Sequence, residues 1–159
     1  RAAEPRRAVP VPRHPGAALM ARRRGWGDEA PAAPHIWLTL GYRSLEQADG
    51  RAVIEWEASP DFGFHDGSGG HIVHGGMVTT LLDTAMGGAC WTVLEDDESF
   101  LTADLHVEFV RSARPGTLRA EGRVVRRNRR VAFCAADLYD TAGELLASSR
   151  CTQIIRAAS

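Results

Sequence analysis

The sequence predicts an α+β fold in which a curved antiparallel β-sheet wraps around one long helix. The first observation is a segment at residues 77–94 with apolar residues on every side of a helix, a pattern typical of a buried helix. This segment is too short and too polar to span a membrane. The second observation is a series of long alternating segments from Phe100 onward, which indicates β-strands. One helix followed by several strands fits a sheet packed around that helix.

Composition favours a single globular domain preceded by a different kind of segment. The chain has 159 residues and a formal net charge of −1, so no strong field for nucleic acid or a membrane surface is expected. Residues 1–34 are rich in Arg, Pro and Ala and lack apolar periodicity, which predicts a flexible extension. A functional basic arm is the alternative. We expect the folded domain to comprise residues 35–159.

The first elements of the domain are a short helical turn and two strands. Residues 35–40 form an apolar run, and residues 41–45 and 51–59 are predicted strands joined by a turn that contains Asp49 and Gly50. In the second strand, Ile54 and Trp56 alternate with polar residues, so these two side chains are expected to face the core.

Residues 60–73 are predicted to form a loop rich in Gly, Asp, Phe and His. The loop and the residue after it contain His65, Asp66, His71 and His74, which are residue types that bind metals. Their spacing matches no recognised ligand pattern, so we predict no metal site. The three cysteines Cys90, Cys134 and Cys151 are odd in number and follow no secretory segment, so a reducing cytoplasm is expected.

The start and the middle of the long helix both suggest chemistry. The sequence His74-Gly75-Gly76 replaces the usual Ser, Thr or Asp cap, and two glycines let a ligand approach the first amide N–H groups. The helix dipole attracts a polarised oxygen to that end. Asp83 is the one charge inside the helix, and a buried carboxylate is costly unless it is paired. Such groups concentrate at functional sites.

From Phe100 onward we expect four strands in a meander, at residues 100–111, 117–127, 130–139 and 144–155. Alternation places two sets of residues on opposite faces of the first of these strands. The apolar set comprises Leu101, Ala103, Leu105, Val107 and Phe109. The polar set comprises Thr102, Asp104, His106 and Glu108.

The spacing of Gly75 and Asp83 limits how they act together. They are eight positions apart, which is about 12 Å along an α-helix. One carbonyl oxygen cannot lie within about 3 Å of both groups. If both are catalytic, the amide therefore comes from one chain and the carboxylate from another.

His74-Gly75-Gly76, with Asp83 nine residues after the histidine, resembles the signature of hotdog-fold acyl-CoA thioesterases of the phenylacetic-acid-degradation (PaaI-like) type. The resemblance covers roughly residues 36–155 and includes the Thr-x-Asp-Leu-x-Val-x-Phe segment that begins at Thr102. It implies the hotdog fold and hydrolysis of an acyl-CoA thioester by a homodimer or a dimer of dimers. It implies no cofactor, because coenzyme A is part of the substrate.

The resemblance also implies roles for individual residues. The Gly75 N–H binds the thioester oxygen, with Gly76 beside it, and Asp83 is the nucleophile or general base. His74 orients the Gly75 amide, and Thr102 takes the place of a Ser or Thr that holds the attacking water. An ordinary strand position is the alternative for Thr102.

Other candidate substrate contacts lie outside the helix. Ser68 stands where the family often has an Asn six residues before the histidine. Asp104 and His106 share the predicted polar face of Thr102, where they either line the site or face solvent. Arginine suits bidentate phosphate contacts, and the resemblance places a cluster of four near the nucleotide end of coenzyme A, with a solvated turn as the alternative. The cluster comprises Arg126, Arg127, Arg129 and Arg130.

Two other functions remain compatible with the same fold: an acyl-CoA hydratase or dehydratase, and a non-catalytic acyl-CoA-binding module. Release of a free thiol separates thioester hydrolysis from both. The acyl group is not predicted. Four aromatic residues either line an acyl pocket or belong to the core: Trp56, Phe62, Phe64 and Trp91.

Overall fold

The computed structural model describes residues 34–157, and it confirms an α+β fold with one long helix against an antiparallel sheet. The prediction for residues 1–34 lies outside the described residues, apart from Pro34. The elements in chain order are α1 His35–Leu40, β1 Tyr42–Ala48, β2 Arg51–Ala58, a 3₁₀ turn Pro60–Phe62, β3 Gly63–His65, β4 His71–Val73, α2 Gly75–Trp91, β5 Glu98–Phe109, β6 Gly116–Arg127, β7 Val131–Tyr139 and β8 Leu145–Ala157.

In the part of the chain that the structure describes, the main sheet has six antiparallel strands in the order β1-β2-β6-β7-β8-β5. The predicted meander is wrong in one respect, because β5 pairs with β8 at the sheet edge and not with β6. Alternation identifies strands but not their neighbours. Between β5 and β6 the chain passes beside β4 and β8, where the Val73 N–H donates to the Ala113 carbonyl at 2.8 Å and the Arg111 N–H donates to the Leu146 carbonyl at 3.0 Å.

Small residues on the concave face of the sheet let α2 pack closely. Ala52, Ala120, Ala132 and Ala136 are all 0% exposed. At Gly122 a Cβ atom would lie 2.2 Å from the backbone oxygen of Ala85, so the helix crosses the sheet at a distance that only glycine allows.

The β1–β2 hairpin agrees with its predicted turn. Asp49 and Gly50 have φ values of 49° and 75°, as a two-residue hairpin turn requires. Ile54 and Trp56 are 0% and 1% exposed, which confirms that they face the core. The Trp56 indole N–H donates to the Leu40 carbonyl at 2.8 Å and thereby ties α1 to the sheet.

The predicted loop at residues 60–73 contains more structure than expected. Ser59 caps the 3₁₀ turn by accepting a hydrogen bond from the Asp61 N–H, and β3 pairs with β4. The pairing is close because Gly63 has no side chain: a Cβ atom there would lie 2.1 Å from the Ile72 oxygen. The hairpin leads directly into α2.

Within residues 34–157, the sheet covers α2 on most sides and leaves one side open. Most apolar helix residues are buried, including Val78, Leu82 and Met86. However, Gly76 is exposed and Asp83 is only partly buried, both on one side of the helix. Asp83 makes a hydrogen bond with β5, which among residues 34–157 is an edge strand with one unpaired side.

Candidate active site

His74 forms the N-cap of α2. Its Nδ1 accepts a hydrogen bond from the Gly76 N–H at 2.9 Å, and its own backbone N–H donates to the Phe62 carbonyl at 2.9 Å. The ring therefore takes the place of the hydroxyl or carboxylate that usually caps a helix. Because Nδ1 accepts, the neutral ring carries its proton on Nε2. The sequence predicts that the first amides of the helix are available to a ligand. The cap occupies one of them, the Gly76 N–H.

The neighbouring amide, that of Gly75, remains open. The Met77 N–H bonds to the His74 carbonyl at 2.9 Å, whereas within residues 34–157 no group accepts a hydrogen bond from the Gly75 N–H. This N–H is a donor at the positive end of a 17-residue helix. Of the Gly75 and Gly76 amides that the sequence predicts to be free, the structure leaves only that of Gly75 without an acceptor among residues 34–157.

A cavity of about 300 Å³ opens at this end of α2. Gly75 lines it, and the Phe109 ring lies against Gly75, where a Cβ atom would be 3.2 Å from Cζ. The other lining residues are mostly apolar: Phe64, Ile72, Val73, Val78, Val110, Arg111, Ser112, Ala113 and Leu146. The first residue of α2 therefore borders a cavity that is lined by apolar side chains together with polar groups.

Of the four aromatic residues considered for an acyl pocket, only Phe64 lines this cavity. Trp56 is 1% exposed and packs with Phe62 at a ring separation of 5.5 Å. Trp91 contacts Phe100 near the other end of α2, at a ring separation of 6.5 Å. Phe109 was predicted only as a residue of the apolar strand face.

Asp83 lies in the middle of α2 and is held by β5. The Thr102 hydroxyl donates to Asp83 Oδ1 at 3.0 Å. Burial raises the pKa of Asp83 above its ordinary value, and the hydrogen bond from Thr102 opposes that rise. A partly buried carboxylate with a raised pKa and one hydroxyl partner is suited to accept a proton.

A β-bulge brings Thr102 to the helix side of the sheet. The pairing of β5 with β8 shifts between Thr102 and Asp104, so Thr102 pairs with Gln153 and Leu105 pairs with Cys151. Gln153 and Cys151 are both buried against the helix. Because cross-strand partners share a face, Thr102 lies on the same face as Leu105. The predicted alternation is therefore wrong before the bulge, and Leu101 is 58% exposed on the outer face.

The same bulge separates Asp104 and His106 from Thr102. The prediction that these three residues share a face is wrong, because Asp104 pairs with Thr152 and His106 with Arg150 on the outer side of the sheet. There His106 Nε2 lies 3.3 Å from Glu108 Oε1. These side chains face away from the helix and from Asp83.

The open amide and the carboxylate lie on one unbroken helix. Gly75 is its first residue, Asp83 is eight positions further, and α2 runs without interruption to Trp91. The separation along the axis is therefore about 12 Å. Within one chain the two groups do not reach the same substrate atom.

Ser68 lies at the tip of the β3–β4 hairpin and contacts neither group. Its hydroxyl and its N–H both donate to Asp66 Oδ1, at 2.8 and 2.9 Å. Gly70 N–H donates to the same oxygen, and Arg114 binds Oδ2 at 2.9 Å. These bonds hold the pKa of Asp66 well below its usual range, and the bond from the Ser68 amide has the largest effect. Ser68 therefore contributes to the shape of the hairpin.

The structure divides the four arginines of the predicted cluster. Arg127 forms an ion pair with Glu98, and their side chains are only 25% and 11% exposed. Arg126, Arg129 and Arg130 are exposed, and none of them forms an ion pair within residues 34–157. Three guanidinium groups thus remain open to an anionic ligand.

Sequence reasoning missed Gln153, which is 0% exposed. Its Oε1 lies 3.5 Å from Thr102 Oγ1, and its Nε2 donates to Cys151 Sγ at 3.2 Å. A signal was present, because Gln153 occupies an inward position of an alternating strand between Cys151 and Ile155. A polar residue in such a position needs buried hydrogen-bond partners.

Two general features of the described residues bear on function. Within residues 34–157, no group of three or more His, Cys, Asp or Glu side chains is arranged to hold a metal ion. In the same part of the chain, no helix combines the length and the apolarity needed to cross a membrane.

Comparison with known proteins identifies the family and confirms the fold of this chain. The sequence model of the thioesterase superfamily matches residues 70–147. A solved protein from the thioesterase superfamily is 30% identical, with a TM-score of 0.68, over 89% of this chain and 99% of that one. A phenylacetic acid degradation-related protein from Ralstonia eutropha is 28% identical, with a TM-score of 0.70, over 84% and 97% of the two chains. The PaaI protein from the phenylacetic acid degradation operon of E. coli has a TM-score of 0.73 over 90% and 98%, and its 17% identity shows the fold alone.

Proposed function

This chain belongs to the thioesterase superfamily and is a hydrolase with the hotdog fold, and from this premise we propose that it hydrolyses an acyl-CoA thioester at a site shared by two chains. The observation that carries the proposal is that α2 presents two reactive groups. One is the open Gly75 amide at the helix start, and the other is the Asp83 carboxylate bound by Thr102.

The Gly75 amide binds the thioester carbonyl oxygen and stabilises the oxyanion as negative charge develops there. One donor of this kind contributes about 3 kcal/mol to the transition state. The cap formed by His74 supports this role, because it fixes the start of the helix without using the Gly75 N–H. His74 is thus an orienting residue in the proposed site.

Asp83 acts on the other side of the carbonyl. As a general base it removes a proton from water, the water oxygen attacks the carbonyl carbon, and the C–S bond breaks to release coenzyme A as a thiol after protonation. As a nucleophile it attacks the carbon directly and forms an anhydride that water then hydrolyses. In oxygen-18 water, the general-base route labels only the product acid. Label found in the Asp83 carboxylate after a single turnover requires the anhydride, with water attacking its aspartyl carbonyl.

Two chains are needed because about 12 Å separates the amide from the carboxylate on one helix. The open side of α2 at Gly76 and Asp83, and the unpaired side of β5, are surfaces that a second copy covers. We therefore infer a homodimer, alone or in a dimer of dimers, in which Gly75 of one chain faces Asp83 of the other.

The exposed arginines at the β6–β7 hairpin favour a substrate with phosphate groups. Arg126, Arg129 and Arg130 are candidates for contacts with the nucleotide end of coenzyme A. The Arg127 guanidinium forms an ion pair with Glu98, so we assign this arginine a structural role and not a substrate contact. The three buried cysteines are free thiols, which supports the expected reducing cytoplasm.

The experiment that tests this function is thiol release from a panel of aromatic, short-chain and long-chain acyl-CoAs, with Asp83→Asn in parallel. We expect turnover by the wild-type protein and its loss in a variant that keeps the same oligomeric state. Thiol release that persists in the pure variant would contradict the role of Asp83. Hydration of an enoyl-CoA without thiol release would contradict hydrolysis and favour a hydratase.

A further inference from the structure

Gln153 is a fully buried amide that connects to the proposed catalytic carboxylate through one hydroxyl. It pairs with Thr102 across β5 and β8, and its side chain is 0% exposed. A buried polar side chain of this size is costly unless its hydrogen bonds are made. Its two partners are Thr102 and Cys151, so the side chain lies between Thr102 and the buried thiols.

The Thr102 hydroxyl has two acceptors and one hydrogen. Asp83 Oδ1 lies 3.0 Å from Oγ1, and Gln153 Oε1 lies 3.5 Å from the same atom. A hydroxyl donates one hydrogen bond at a time. While Asp83 is ionised, the shorter, charge-assisted bond to the carboxylate is favoured. Once Asp83 is protonated, the neutral amide oxygen of Gln153 competes for the hydrogen.

We propose that Gln153 is a positioning residue: its Oε1 gives the Thr102 hydroxyl a second acceptor, so that this hydroxyl can release Asp83 when the carboxylate takes up a proton. No covalent bond of Gln153 changes. The hydroxyl turns from Asp83 to Gln153 as the proton arrives, and it turns back when the proton leaves. The inference rests on the proposed role of Asp83 as the group that receives the proton.

The buried thiols keep Gln153 in the orientation that this requires. Nε2 donates to Cys151 Sγ at 3.2 Å, which directs Oε1 toward Thr102. Cys134 pairs directly with Cys151 across β7 and β8. Hydrogen bonds to Cys151 and Cys90, together with burial, raise the pKa of Cys134, so this thiol stays neutral.

Other charged groups act on the cysteines beside Gln153. Asp104 acts on Cys151 from the outer face of the sheet, and Glu98 and Arg127 form an ion pair that acts on Cys90. Of the described residues, only Thr102 makes a hydrogen bond to Asp83 that affects its pKa. Asp83 also acts on Cys151 through its charge. The hydrogen-bonded path from Gln153 to Asp83 passes through the Thr102 hydroxyl.

The test measures the pKa of Asp83 directly, by nuclear magnetic resonance titration of carbon-13-labelled aspartate carboxylates. The spectrum of Asp83→Asn identifies the resonance. In Gln153→Met, which keeps the length of the side chain without the acceptor, we expect the pKa to fall by about 0.5 to 1 pH unit. In Gln153→Glu, a stronger acceptor, we expect it to rise. Ile155→Val, on the same face of β8, is the packing control and should leave the pKa unchanged.

A second arm separates this role from general packing. In a Thr102→Val background, the hydrogen-bonded path from Gln153 to Asp83 is removed, so adding Gln153→Met should change the pKa of Asp83 by much less than it does in the wild-type background. Equal shifts with and without Thr102, or shifts of the same sign for Met and Glu, would overturn the inference. The titration does not depend on turnover, so absence of thiol release would contradict the proposed function while the titration still decides the role of Gln153.

Discussion

The start and the middle of α2 form their reactive groups in different ways. At the start, the backbone supplies the group: the Gly75 N–H is open because it belongs to the first helical residue, and His74 completes the cap. In the middle, Asp83 depends on distant parts of the chain, because Thr102 lies 19 positions away on β5. A change at the start of the helix should therefore alter one hydrogen-bond donor, the Gly75 N–H. A change in the middle should alter the pKa of Asp83.

The largest expected effect is at the middle of the helix. Replacing Asp83 with Asn should lower kcat by about 10² to 10⁴-fold, because an amide neither accepts a proton nor attacks a thioester. The free energy of unfolding at neutral pH should not fall. Burial raises the pKa of Asp83, so its contribution to stability is present at low pH and is lost as the pH rises through that pKa. Denaturant titrations at two pH values check this, and a large loss of stability at pH 7 would contradict it.

The start of the helix offers a test that removes the amide hydrogen and has a matched control for the added side chain. Gly75→Pro should lower kcat by about 10² to 10³-fold, because the oxyanion donor is lost. Proline is well tolerated at the first helical position. His74 already has the extended backbone, with φ −60° and ψ 133°, that a following proline requires.

Gly75→Ala is the matched control, since it adds the same Cβ against the exposed Phe109 ring and keeps the N–H. We expect it to retain most of the activity. Circular dichroism and steady-state kinetics on both variants would decide the point. Equal losses for Ala and Pro would assign the effect to the side chain and not to the amide.

A smaller effect should follow from removing the Thr102 hydroxyl. Thr102→Val should raise the pKa of Asp83, because the bond that stabilises the ionised form is lost. A general base must be ionised, so the acidic limb of the kcat/KM profile should move upward by about 0.5 to 1 pH unit. The variant should lose more stability at high pH than at low pH. An unchanged acidic limb would show that Thr102 does not influence the pKa of the general base.

The smallest effect is expected at the β6–β7 hairpin. Arg129→Ala or Arg130→Ala should raise KM for an acyl-CoA by roughly 3- to 10-fold, with kcat unchanged, since each exposed arginine contributes one phosphate contact. The effect should weaken with added salt. It should vanish for an N-acetylcysteamine thioester, which has no phosphate. Arg150→Ala, where the arginine lies near Glu108, is the control.

The same contrast explains how much of the site could be predicted from the sequence. The helix, the open Gly75 amide and the position of Asp83 follow from local sequence, because capping and apolar periodicity act over a few residues. The buried faces of Ile54 and Trp56 follow from simple alternation. These features required no knowledge of which strands are neighbours.

Features that depend on distant pairing could not be predicted in the same way. The bulge after Thr102 reverses which residues of β5 face the helix, and it exists only in the pairing with β8. The ion pair that occupies Arg127 joins residues 29 positions apart. Gln153 becomes significant only when Thr102 is placed opposite it.

The central claim is that one active site takes Gly75 from one chain and Asp83 from another. The most direct test is to unfold and refold a one-to-one mixture of Gly75→Pro and Asp83→Asn chains, each inactive alone. If the site is shared, a mixed dimer has one site with both changes and one with neither, so the mixture should recover roughly a quarter of wild-type activity. If both groups act within one chain, no mixed dimer contains an intact site, and a mixture as inactive as its components would contradict the account.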